Sequence, residues 1–244
     1  MTKMTKIFML AMSLVVVTCG AALATPSTQI WIPSTDVQAY KTVHLGFDNY
    51  IRTTSKGDVT NNYYVAGVTV GVLPFEKLQM EVGIDYIDGG INSEADKNPI
   101  YFNAKIGTPE GSLFKFSPAL AVGMYNMGTK AGVTGQNVAY GLVAKTLPVI
   151  GRLSVGGFHG SETTLIQGNN GILASWDRTM SEISDKLWMA VDYQSGNSAL
   201  GAFNFGVSWA FSKNVSVILG YDIYNDASFG GKNTFTTQVD INFP

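Results

Sequence analysis

The chain has 244 residues, 45% hydrophobic, 14% charged and 11% aromatic, with 27 glycines and a formal net charge of −2. The clustered basic charge that a nucleic-acid partner requires is missing. No second apolar run follows the N-terminal one, so a bundle of membrane helices is excluded as well.

Residues 1–24 read as a secretory signal peptide. Lys3 and Lys6 supply the positive n-region, residues 7–18 are almost wholly apolar, and Ala22, Leu23 and Ala24 offer the small residues that signal peptidase accepts. Cleavage before Thr25 is expected. Cys19 raises a lipoprotein alternative, although Thr18 directly before it is a poor match to the usual small residue. Removing the leader leaves no cysteine, which excludes thiolate catalysis, thiolate metal sites and disulfides. With Lys3 and Lys6 gone, 14 basic residues stand against 18 acidic ones, a balance that points away from nucleic acid.

Residues 25–42, beginning TPSTQIWIPSTDVQAY, fit no strand, because Pro26 and Pro33 cannot donate ladder hydrogen bonds. They are expected to be a lead-in ahead of the strands. The alternative is a segment tucked inside whatever the strands enclose, with Trp31 as an anchor.

From residue 43 onward the sequence alternates. Tyr64, Ala66, Val68, Val70 and Val72 interleave with Tyr63, Val65, Gly67, Thr69 and Gly71, and Leu78, Met80, Val82, Ile84 and Tyr86 with Gln79, Glu81, Gly83 and Asp85. Large apolar residues on one face and small or polar ones on the other, over about ten residues, form the lipid-out, lumen-in pattern. Such runs fall near 43–52, 63–73, 78–88, 100–107, 115–127, 136–147, 152–161, 171–180, 186–195, 201–211, 215–225 and 234–243. Short connections such as 148–151 and 212–214 alternate with longer, Gly- and Asn-rich ones such as 88–99 and 226–233. The expected fold is all-β: residues 43–244 form a transmembrane antiparallel up-and-down barrel of about 12 strands, with 10 or 14 as alternatives. Residues 25–42 would then lie in the periplasm or in the lumen, and the location would be the bacterial outer membrane, in contact with its lipid.

The last run, TFTTQVDINFP, puts Phe235, Thr237, Val239, Ile241 and Phe243 on one face. It resembles the C-terminal strand of bacterial outer-membrane proteins, whose terminal aromatic is recognised by the barrel-assembly machinery. That resemblance implies Phe243 as the assembly signal and the machinery as a partner. Pro244 departs from it by leaving the aromatic penultimate.

Within GGFHGSE, His159 and Ser161 share a strand face. At this His-x-Ser pair the chain resembles outer-membrane phospholipase A, also a twelve-stranded barrel. The resemblance implies His159 as base, Ser161 as nucleophile and Asn169 or Asn170 as orienting group, since a serine needs an adjacent base to become nucleophilic. Here Glu162 and Thr163 follow where that family has Asn-Gly, and the asparagines come early, so the pair reads as a polar strand end and the chain as no enzyme. Two histidines in all do not make a multi-histidine zinc site, and neither a metal nor a cofactor is expected.

The face opposite the apolar one gathers Asp48, Glu81, Asp85, Asp177, Asp192, Asp222 and Asp240, answered by Lys105, Lys145 and Arg52. Inward glycines and alanines, among them Gly67, Gly71, Gly83, Ala119, Ala121, Gly123, Gly141, Gly206 and Gly220, leave space. The expectation is a narrow channel for small solutes or ions with mild cation preference. A structural or assembly-related barrel without transport and a membrane-embedded phospholipase are the alternatives.

Overall fold

The computed structural model describes residues 27–54, 62–90 and 92–244. The expected leader, its cleavage position and Cys19 lie outside the described residues. Twelve strands follow in order: β1 (Val43–Arg52), β2 (Tyr63–Gly71), β3 (Gln79–Asp88), β4 (Ile100–Thr108), β5 (Ala119–Gly128), β6 (Gly135–Leu147), β7 (Gly151–His159), β8 (Asn170–Thr179), β9 (Leu187–Gln194), β10 (Ala202–Ala210), β11 (Val215–Tyr224) and β12 (Thr234–Phe243). Each pairs antiparallel with its sequence neighbour, and β1 pairs with β12 from Val43↔Phe243 to Arg52↔Thr234, closing the barrel. Closure removes the edges, so every strand has a ladder on both sides. Among the described residues no helix is long and apolar enough to cross a membrane.

The strands start and stop close to where the alternation does. The exception is β5, expected from residue 115 but beginning at Ala119. Pro118 has no N–H to give the ladder, and residues 109–118 form a longer connection at the end of the barrel that carries the chain's first and last strand residues. We call this the turn end, and the opposite one, with connections such as 89–99 and 160–169, the loop end.

The two faces are inverted relative to a soluble domain. Phe47, Ile84, Val122, Val155, Phe205 and Leu219 point outward and are exposed, while Asp192, Gln194, Asn204, Asp222, Thr236 and Gln238 point inward and are buried. Exposed rings cluster toward the rims, with Tyr64, Tyr86 and Phe235 near the loop end and Phe116, Trp209 and Phe211 near the turn end. Apolar out and polar in, with aromatics at both rims, is the build of a barrel whose outer solvent is lipid.

What fills the barrel is its own N-terminal segment. Residues 27–34 make a tight reversal, with Ser34 N donating to Ser27 O (3.2 Å) and Gln29 N to Ile32 O (2.8 Å). The chain then runs to the turn end, where Lys41 N donates to Gly71 O at 2.9 Å before β1 begins. Ile32 is fully buried against Val138, Tyr140, Leu142, Phe158, Leu165 and Leu173. Ile30 packs on Trp188, Ala190 and Ile218.

This segment explains a face that alternation misassigns. In β6 the inward residues are Val138, Tyr140, Leu142 and Ala144, all buried, so Gly141 and Lys145 point outward rather than into the lumen. Large apolar residues normally mark the lipid side; here they turn inward because Ile32 lies against them. The inward glycines behave differently too. A Cβ on Gly71 would lie 1.9 Å from Ala39 O, and one on Gly206 would lie 2.9 Å from Ile30 Cδ1. Their space is taken by the segment instead of being left as bore.

Candidate functional site

Beside the segment a cavity of about 400 Å³ remains, lined chiefly by β1–β5 and bounded also by Trp31, Leu200 and Tyr224. Alternation along these strands places the lining. Gly46, Asp48 and Tyr50 face in from β1, Tyr63 and Gly67 from β2, and Asp85 from β3. At β5 a bulge, with Asn126 at φ 52°, sets two successive residues, Tyr125 and Asn126, against the same space. Asn126 Nδ2 donates to Gln136 Oε1 at 2.6 Å.

Of the expected lumen acids, Asp192, Asp177 and Glu81 hold the segment. Asp192 Oδ2 accepts from the backbone N–H of Ile30 (2.8 Å) and Trp31 (2.9 Å), and its Oδ1 accepts from Asn204 Nδ2 (2.7 Å). Two successive backbone N–H groups converging on one oxygen form an anion nest, so the carboxylate satisfies donors that a lumen segment otherwise leaves unpaired. Asp177 Oδ1 accepts from Gln29 Nε2 (3.0 Å) and from Arg152 Nε (2.9 Å). Arg152 Nη1 also grips Asp36 of the segment at 2.6 and 2.7 Å. Asp222 accepts from Thr234 Oγ1 at 2.6 Å. Gln238 Nε2 donates to Ile30 O at 2.7 Å.

Arg152 is a lumen base that the sequence reading missed. It shares its face with buried Ser154 and Phe158, so the parity of β7 was signal enough. Lys145, counted as inward, instead stands at the turn-end rim with Nζ 2.7 Å from Glu110 Oε1.

Around the cavity, charge is unevenly answered. Glu81 and Lys105 form a buried pair at 3.1 Å, Glu81 Oε2 accepts from Gln38 N (2.7 Å), and Lys105 Nζ donates to Ser27 O (3.1 Å). Asp240 lies 3.6 Å from His44 Nε2. Arg52 at the loop end donates to the carbonyls of Gly230 (3.0 Å) and Lys232 and lies over the rings of Tyr224 and Tyr63. Asp85 Oδ2 accepts from Asn103 Nδ2 at 2.8 Å. Neither Asp48 nor Asp85 has an ion-pair partner among the described residues.

His159 is exposed on the outer face at the end of β7. Ser161 lies beyond the strand, its Oγ 2.9 Å from Thr163 Oγ1. Asn170 pairs across the ladder with His159 through the backbone, and its side-chain Nδ2 donates to Asn169 Oδ1. No hydrogen bond joins His159 to Ser161 among the described residues. Phe243 ends β12 opposite Val43. Among the described residues no group of three or more His, Cys, Asp or Glu is placed to hold a metal ion.

No family model and no curated protein matches the sequence. Among solved structures, an outer membrane channel from Pseudomonas putida F1 aligns over 93% of this chain and 100% of its own, at 12% identity and a TM-score of 0.49. OmpF of Salmonella typhi, in complex with daunomycin, aligns over 83% of this chain and 96% of its own, at 10% identity and a TM-score of 0.39.

Proposed function

We propose that this protein is an outer-membrane channel of small bore, narrowed by its own residues 27–42, that passes small solutes or ions with a mild preference for cations. One observation carries the reading: an inside-out barrel holds a cavity lined by the carboxyl groups of Asp48 and Asp85, which have no ion-pair partner among the described residues. Low-dielectric walls focus the field of such groups on a passing ion, and carboxylates favour cations. The exposed apolar belt supports a place in lipid, and Phe243 at the end of β12 supports recognition by the barrel-assembly machinery.

Planar-bilayer recording under a salt gradient tests this. The reversal potential should indicate cation preference at low salt that fades at high salt, as screening lengths fall from ~30 Å at 0.01 M to ~3 Å at 1 M. Asp48→Asn with Asp85→Asn should reduce the preference. Anion preference refutes the assignment. The fully buried Ile30 and Ile32 favour a second reading, a structural barrel sealed by its segment, and absence of any conductance would decide for it.

A further inference from the structure

The cavity's walls are more specific than passage of simple ions requires. Tyr50 and Tyr63 stack at 4.2 Å between centroids, and Trp31 meets both rings edge-on, at 5.4 and 6.4 Å. Tyr101, Tyr125 and Tyr140 line the space as well. Beneath these rings lie Asp48 and Asp85. The Asp85 carboxylate reaches across Gly67, where a Cβ would come within 2.3 Å of Oδ1, and Gly67 pairs with Gly46 on β1. Gly67 thus lies on the strand between Asp85 and β1, Gly46 lies two positions from Asp48 on the same inward face, and neither glycine puts a side chain into this stretch of wall. Carboxylates withdrawn from bulk water are ordinarily paired, and these are not.

The same wall already shows what it can hold. The guanidinium of Arg52 sits 5.1 Å from the Tyr224 ring centroid and 5.9 Å from that of Tyr63. Ring faces attract cations through their quadrupole, and cages of such rings recognise organic ammonium ions. A volume of about 400 Å³ also lies within the range of small-molecule sites. A bare metal ion leaves the rings unused, and an anion meets two carboxylates.

We propose that this cavity binds a small organic cation, an ammonium group carrying a flat or compact apolar body. The ammonium lies between Asp48 and Asp85, and the body lies against Trp31, Tyr50 and Tyr63. The inference deepens the channel reading and rests on it for access from the loop end.

Three probes of one shape test it by calorimetry on the full-length folded protein in detergent: benzylammonium, benzyl alcohol and benzoate. Benzylammonium should bind at least about tenfold more tightly than benzyl alcohol, and benzoate more weakly than either. The ammonium's affinity should fall as salt rises. Asp48→Asn with Asp85→Asn should remove the ammonium's advantage and leave benzyl alcohol unchanged. Equal binding of ammonium and alcohol, retention of the advantage in the double variant, or no binding of benzylammonium overturns the site. If the double variant does not fold, the comparison of the three probes on the unaltered protein decides alone. Binding in a barrel that does not conduct upholds the site and sinks the channel, whereas conductance without binding does the reverse.

Discussion

If the segment is what narrows the barrel, loosening its two apolar anchors should widen it. Ile30 and Ile32 are 1% and 0% exposed and belong to separate clusters, one on Trp188 and Ile218, the other on Val138, Leu142 and Leu173. Truncating a buried isoleucine to alanine costs about 2 kcal/mol at the least, and the two side chains fill separate clusters, so each truncation leaves its own cavity. Ile30→Ala with Ile32→Ala should therefore weaken docking by roughly 4 kcal/mol or more, at least about a thousandfold in the ratio of docked to undocked segment. The strand ladders are untouched, so the barrel should keep its heat-modifiable gel mobility. Single-channel recordings should show larger and noisier currents than the unaltered protein. Chymotryptic cleavage after Trp31, read by mass spectrometry of the fragments, should appear in the variant and not in the parent. Ile30→Val, which removes only one methylene, should remain docked. Unchanged current and unchanged protease resistance in a folded double variant would refute the idea that these side chains hold the constriction.

Other contacts give sharper single tests. Arg152→Ala strips Asp177, itself buried, of its guanidinium, and breaking one partner from a buried pair costs about 3–5 kcal/mol, read as a fall in thermal midpoint. Asp36→Ala should cost less, because the Asp36 side chain is 46% exposed. At the turn-end rim, partial burial pushes the Glu110 carboxyl up, but the hydrogen bonds from Lys145 and Thr146 outweigh it and hold it below its usual range. Its contribution to stability is therefore present above the ordinary carboxylate range and lost as pH falls through the lowered value. The melting difference between the parent and Glu110→Gln should shrink on acidification, and a constant difference would refute the assignment. His159→Ala and Ser161→Ala should leave folding and conductance unchanged, and lipase activity abolished by Ser161→Ala would contradict that.

The barrel was largely legible because its rules are local. Period-two alternation depends on neighbours two residues apart, so twelve strands and most of their ends could be read from sequence, while Pro118 moved the one start that alternation alone set too early. The interior was less legible because it depends on what is packed there. Val138, Tyr140 and Leu142 look lipid-facing until Ile32 is seen against them, and with that face reversed Lys145 leaves the lumen. Likewise, parity gave Asp177 and Asp192 as lumen acids, but not that Gln29, Ile30 and Trp31 use them as acceptors. Those partners lie more than a hundred positions away, and periodicity carries no information across such a distance.

That distance also sets an order of events. The segment is made before any strand, yet its acceptors on β8 and β9 come 148 and 162 positions later, and the Gln238 amide that caps the Ile30 carbonyl comes 208 later. Contacts so remote form only after the intervening chain has been gathered, since loop closure must precede any gain from them. Gln238 lies on β12, the strand that seals the wall against β1. The first part of the barrel to be synthesised is thus among the last to be satisfied, and a chain cut short before β12 leaves its interior unfinished along with its wall.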